Sequence, residues 1–574
     1  MYSALPPTSE ALARFTWSTI ESWYQELLLA ELSQNTLPAW LAQWSRLSEL
    51  VEEILVKQEI ACTRNTADQE RADRKQRFLD EIYVHIQPLD QHLKQKLLAS
   101  GLSPDGFTLP LRMLRTEATL FREQNVSLLN TEEGLKTEYL RFCGSQTVAW
   151  QGREMALTAL TPILMEPDRV RRERAWRTIE ARRLADSETL FAHWQKELQV
   201  RQQIAENAGY ATYRDYRWQQ LFRFDYTPAD CQHFHQAVEQ VIVPAASKIW
   251  AKRRQLLGVE TIRPWDTTTD PRRHLPPRYI ADLGALLRQC ATLFTLIDPE
   301  LGAYFELMIR EGLLDLEERP AKASRGYNLT MEALHQPFIF GKMQTVQEIR
   351  LILHEAGHAF HSFEMKALPY IQQRKDAFLP MEFAEVASTT MEFLGSMYLH
   401  QVGICSRQEA VHLRLAHLET VLAENLVRAA MIDAFQHWVY DHPEQARDLE
   451  QCTQHWKALA QRYMPDINWS GLEELQGMGW LYVRHIHCFP FYYIEYAFAR
   501  IGALQIWNNY LHDPKAALQR YRHALALGAT CRVPDLYAAA GARFNFDPAT
   551  LRLVVELVTR SIEELEGQEK SDFD

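Results

Sequence analysis

The sequence predicts a mostly α-helical protein with one short β element, and two observations carry that expectation. Stretches such as LSELVEEILVKQEIA and RKQRFLDEIYVHIQPLDQHLKQKLLA place apolar residues at intervals of three and four, the repeat of an amphipathic helix. Only the segment from Ser324 to Met343, SRGYNLTMEALHQPFIFGKM, gathers β-branched and aromatic residues between Gly and Pro punctuation, and it reads as a hairpin or two short strands.

Taken in order, the chain is helical from Phe15 to about Ala99, turns at SPDGF (Ser103 to Phe107), and continues in helices to about Gly209. The basic run Arg169, Arg171, Arg172, Arg174 and Arg177 follows an Asp168 cap. It is interleaved with Glu173, Trp176 and Glu180, so it reads as a solvated helix face rather than a phosphate-binding patch. This first third reads as a helical lobe with no chemistry of its own; the alternative, that its long charged helices form a partner-binding surface, has nothing in the sequence to name the partner. Gly258 to Pro277, rich in Pro, Thr and Asp, is the longest candidate loop. Helices resume at Tyr279, a helix follows the β segment from Thr345, and another opens at Met381. Further on, Gln476 to Arg500 begins with Gly477 and Gly479 in a flexible loop and becomes a helix-like run crowded with aromatics. The acidic end, EELEGQEKSDFD, is expected to fray.

Composition narrows the function classes. With 47% hydrophobic and 24% charged residues among 574, the chain is an ordinary globular one, long enough for an extensive core. A net charge of -12 gives no electrostatic reason to expect nucleic acid or an anionic membrane as partner. No run of 18 apolar residues offers a membrane span, and the N-terminus lacks the apolar core of a signal peptide. The eight cysteines show no C-x-x-C pair, which suits reduced thiols in a cytoplasmic protein. The sequence sets no oligomeric state.

The chemistry concentrates in TVQEIRLILHEAGHAFHSFEM, Thr345 to Met365. Thr345 and Glu348 form a capping box, and Ile349, Ile352, Leu353, Ala356, Ala359, Phe360 and Phe363 follow at helical spacing. His354 and His358 are four apart, so both imidazoles leave one face and can bind one zinc. Glu355 is turned aside and stays available to hold a water. Buried His and Glu on an apolar helix each need a partner, and a zinc with its water serves all three. This is the pattern of metal-assisted hydrolysis. On the next helix Glu385 and Glu392 are seven apart and share a face, which fits a metal ligand followed by an outer hydrogen-bond acceptor; Glu382 is a weaker rival to Glu385. Glu364 stands where a metzincin has its third His and should point past the metal, and His361, one turn beyond His358, reads as a residue supporting a ligand or the core rather than as a ligand itself. Phe338, Ile339, Phe340 and Gly341 are the candidate edge strand for an extended peptide, unless the hairpin merely packs against the helix. Finally, His485, His487, Tyr492, Tyr493 and Tyr496 either fill a core or aim donors at a developing oxyanion.

HEAGHAFH, then FAEVASTTME, then a His followed by Tyr at plus five and plus nine, resembles the oligoendopeptidase F and thimet-oligopeptidase family of zinc peptidases. LEERPAKASRGYN, PFIF and LGATCRVPDLYAAAG extend the resemblance over essentially the whole length. It implies a two-lobed helical fold with a deep central channel and a small sheet beside the zinc helix, divided into an N-terminal helical lobe (1–110) and a catalytic domain (111–574). It also implies intracellular cleavage of oligopeptides, one zinc on His354, His358 and Glu385, Glu355 as general base and Glu392 orienting a zinc-binding His. By the same resemblance His487, Tyr492 and Tyr496 face the substrate carbonyl. Ala499 stands where the thimet branch often has a further Tyr, and Gly341-Lys342 replaces a small polar pair. Two other readings are a zinc carboxypeptidase or dipeptidyl carboxypeptidase, gripping the free carboxylate with an Arg such as Arg500, and an inactive peptide-binding helical scaffold. The second is disfavoured by the presence of all four principal residues.

Overall fold

The computed structural model describes residues 2–272, 278–323 and 326–571. Helices dominate it, as the periodicity requires, and sheet is confined to five short strands among the described residues. By its contacts the chain separates into two compact units. The first comprises residues 1–119, 277–410 and 502–544, the second 120–276, 411–501 and 545–574.

The first unit is built on the helix Ile349–Glu364. Its apolar face meets the helices Leu283–Ile297 and Pro299–Arg310: Phe360 stands edge-on to Phe294 at 4.9 Å, and Phe363 stacks on Tyr304 at 4.6 Å. The hairpin lies where the sequence put it, apart from Ser324 and Arg325, which fall outside the described residues. Its rank in the sheet differs, however. The five strands are β1 (Thr147–Trp150), β2 (Arg153–Ala156), β3 (Leu314–Asp315), β4 (Tyr327–Met331) and β5 (Gln336–Phe340). β5 pairs antiparallel with β4 and parallel with β3, so it is the middle strand of three. Phe338, Ile339 and Phe340 are therefore buried, and the Gly341 N–H is already given to Asp315 O at 2.9 Å. The expected edge at Phe338 to Gly341 is not an edge. The outer strands are β3 and β4, and β4 is partly exposed from Tyr327 to Thr330. A two-residue strand such as β3 has no alternation to read, which is why the sequence hid it.

The second unit contains the hairpin β1–β2, joined by Gln151 and Gly152 at φ 52 and 78, the left-handed pair of a two-residue turn. The sequence reading ran helix through it. Nor is the basic run wholly solvated: Arg172 is buried, and with Arg169 it clamps the buried Asp266 at 3.0 and 2.8 Å. That clamp orders the expected loop, which Ile262 also ties down by bridging to Ile467. Its remainder, 273–277, lies outside the described residues. Gly477 is packed rather than flexible, since a Cβ there would fall 2.3 Å from Thr453 Cγ2. The last helix, Pro548–Ser571, runs further into the acidic end than expected. Among the described residues no helix is long and apolar enough to cross a membrane.

Candidate active site

The histidine helix starts where Glu348 accepts the Thr345 N–H at 2.8 Å, and its inner face of Ile352, Leu353, Ala356, Ala359 and Phe360 is fully buried. His354 and His358 stay half-buried, their ring centroids 5.0 Å apart. The glutamate helix, Met381–Ser396, is buried from Glu382 to Gly395. Gly357 lets the two helices touch: a Cβ there would sit 2.5 Å from Ser388 Cα and 2.6 Å from Ala387 O.

That close approach delivers Glu385. Its Oε2 lies 3.5 Å from His354 Nε2 and 3.7 Å from His358 Nε2, and the donor atoms of the three residues all fall within 4.8 Å of one another. Two imidazole nitrogens and one carboxylate oxygen around a common point are the donor set of a catalytic zinc with a position left open, so these residues fit the ion. The outer contacts agree. Glu392 Oε1 lies 2.8 Å from His354 Nδ1, which turns Nε2 towards Glu385, and Ser388 Oγ donates to Glu385 Oε2 at 3.1 Å. Ser388 was not anticipated from the sequence.

Without the ion, charge is unevenly held. Burial works against the His354 imidazolium, but the hydrogen bond with Glu392 and the charge of Glu385 outweigh it and raise the group to about 9. Burial pushes His358 down to about 4. Burial also raises Glu355, to about 7, with His354 opposing and Glu385 and Glu392 adding. His361 is buried edge-on to Phe383 and pushed down to about 3 by burial, a structural placement. Glu364 pairs with Arg522 at 2.8 Å, away from the donors, and the three-donor group on this helix pair includes Glu385 rather than Glu382.

The aromatic segment belongs to the second unit. Its helix Arg484–Cys488 stops before Pro490, Phe491 takes a left-handed φ of 65, and a new helix, Tyr493–His512, begins. His487 is placed otherwise than its spacing suggested. It is buried, stacked on Tyr139 at 4.3 Å, with Nδ1 2.8 Å from Glu197 Oε2. His485 instead meets the tyrosines, with centroid distances of 6.1 Å to Tyr492 and 5.7 Å to Tyr496, which themselves stand edge to face at 5.3 Å. Counting five and nine residues along assumes one straight helix, and the break at Pro490 removes that assumption. The break leaves carbonyls without helical partners, and arginines take them up: Arg201 donates to Ile486 O and His487 O, Arg217 to Pro490 O, Arg223 to Phe491 O. Gln436 Oε1 accepts the Phe491 N–H at 2.7 Å. Single residues on distant helices have no spacing signature, so the sequence did not reveal this clamp.

A helical scaffold carrying a His, His, Glu donor set, with an ionisable buried Glu beside the first His, defines a metal-dependent hydrolase. The particular family follows from comparison with known proteins. The chain belongs to peptidase family M3, whose pattern matches residues 163–279 and 293–555. It is 23% identical over 273 residues to oligopeptidase PepF of Bacillus subtilis (strain 168), an alignment covering 46% of this chain and 39% of that one. It is 24% identical over 241 residues to the oligoendopeptidase F homolog of Borreliella burgdorferi. The matched region thus spans about two fifths of these curated relatives. Among solved structures, PZ peptidase A with inhibitor 2 superposes with a TM-score of 0.85 at 25% identity, covering 96% of this chain and 98% of that one. A putative oligoendopeptidase F has the same fold, with a TM-score of 0.84 at 24% identity over 96% and 97% of the two chains.

Proposed function

We propose that the protein is a zinc-dependent endopeptidase that hydrolyses short oligopeptides, with one zinc held by His354, His358 and Glu385. The observation that carries this reading is the convergence of both Nε2 atoms on Glu385 Oε2. A zinc held there supplies Lewis-acid polarisation of a peptide carbonyl and draws the pKa of water down towards about 7. Glu355 takes a proton from the attacking water as its oxygen bonds to the carbonyl carbon. When the C–N bond breaks, Glu355 returns that proton to the leaving amine nitrogen. Glu392 keeps the His354 proton on Nδ1. Tyr492 and Tyr496 are the proposed oxyanion donors, each worth about 3 kcal/mol; His485 packs against both rings, and His487, buried on Glu197, is left out of the donor set. The reading moves the strand that would pair with an extended peptide from β5, which is central, to the outer strand β4.

The same reading takes residues 1–110 as a helical lobe and 111–574 as the catalytic part, and places the protein in the cytoplasm with peptides as its partners, and neither nucleic acid nor membrane. The test is mass spectrometry of a peptide pool with free and amidated C-termini, with and without a chelator. Internal cleavage of both forms, abolished by the chelator, is expected. Rejection of the amides would indicate a carboxypeptidase instead, and cleavage that ignores the chelator would overturn the zinc reading.

A further inference from the structure

We propose a second transition-metal site, suited to zinc, in the second unit, made by Cys231, Asp433 and His437, with His235 bound to Asp433 outside it. The helix Pro228–Ala237 presents Cys231 and His235 four residues apart, and the helix Val427–Asp441 presents Asp433 and His437 four apart. Where the two meet, the ligand atoms of Cys231, Asp433 and His437 lie within 4.8 Å of one another, the same convergence as at His354, His358 and Glu385.

All four side chains are buried, Cys231 and Asp433 completely. Hydrogen bonding within the protein leaves the cluster incomplete. Asp433 Oδ2 is 2.9 Å from His235 Nε2, but Asp433 Oδ1 has no hydrogen bond, and neither do Nδ1 and Nε2 of His437. His437 Nε2 stands 3.2 Å from Asp433 Oδ2 without the alignment of a hydrogen bond. A buried imidazole and a buried carboxylate oxygen each cost free energy when left unmatched, and a single cation would take one nitrogen of the first and the oxygen of the second. A thiolate, an imidazole and a carboxylate are ligands for zinc or cobalt rather than for magnesium or calcium. His235 would hold the Asp433 carboxylate as Glu392 holds His354. A cavity of about 310 Å³ lined by His235, His437, Trp438, His442 and His455 reaches the site at His437.

The site would stiffen a functional segment. His437 packs edge-on to Phe491 at 5.3 Å, and its neighbour Gln436 accepts the Phe491 N–H. A metal on His437 therefore fixes the wall against which the left-handed residue before Tyr492 is seated.

Cobalt separates this site from the first, because His354, His358 and Glu385 include no thiolate. Full-length protein loaded with cobalt should hold two ions per chain and show a near-ultraviolet thiolate-to-cobalt absorption. His358→Ala should keep that absorption and one ion; Cys231→Ala should lose the absorption and keep the other ion. One ion per chain with no thiolate absorption in the unsubstituted protein would overturn the proposal, a result that needs no variant to fold and leaves the peptidase reading untouched. Two ions without that absorption would overturn it equally, since Cys231 would then not be a ligand.

Discussion

Among the described residues, helices that meet with donors four residues apart occur twice, and the two meetings differ in access. At the first, the His354 and His358 side chains are 27% and 22% exposed; at the second, those of His235 and His437 are 6% and 4% exposed. A carboxyl poised at about 7 stands beside the first pair, whereas the carboxyl at the second, Asp433, is held well below the usual carboxylate range by His437 and His235 despite its burial. The difference teaches that donor chemistry alone does not make an active site. Catalysis needs donors that a substrate can reach and a base that changes protonation near neutral pH; holding helices together needs neither.

The strongest way to break the comparison is Gly357→Val. Its side chain would meet the backbone of Ala387 and Ser388, push the glutamate helix away and destabilise the fold by about 1–3 kcal/mol. Peptidase activity should fall by several decades while the thiolate-to-cobalt absorption survives; equal loss of both would erase the distinction. A milder change is Glu392→Gln, which should weaken metal binding at the first site about 10–100-fold, with His235→Ala doing the same only at the second. Competition with a metallochromic chelator measures both. The smallest effect is in pH. Metal-free His354 keeps its proton up to about 9, above its ordinary 6.5, and the ion must displace it. Affinity at the first site should therefore fall by about tenfold per unit as pH drops below about 9, with about one proton released at neutral pH. Calorimetry in buffers of different ionisation heat counts that proton, and Glu392→Gln should reduce it.

What was legible in the sequence was local. His354, Glu355 and His358 followed from helical spacings of one and four, and Glu385 with Glu392 from a spacing of seven that left Glu382 as a rival; such spacings survive folding unchanged. What depended on tertiary partners was not legible. β5 became a middle strand only because two residues, Leu314 and Asp315, pair with it, and Arg172 is buried only because Asp266 comes to it. The Gln151-Gly152 turn between TVAW and REMA and the break at Pro490 were signals within reach; helical context masked the first, and the second separates His487 from the tyrosines. Cys231 and Asp433 could not be joined at all from sequence, because each belongs to an ordinary pair on its own helix and His235 and Asp433 are 198 positions apart.

The most direct measurement is turnover of a quenched oligopeptide by Glu355→Gln, taken together with the zinc content of the same preparation. The expected result is zinc retained at the first site and turnover reduced by about 10²–10⁴-fold. A zinc-loaded variant that still turns over at the unsubstituted rate would contradict the assignment of Glu355 as the base, and with it the mechanism.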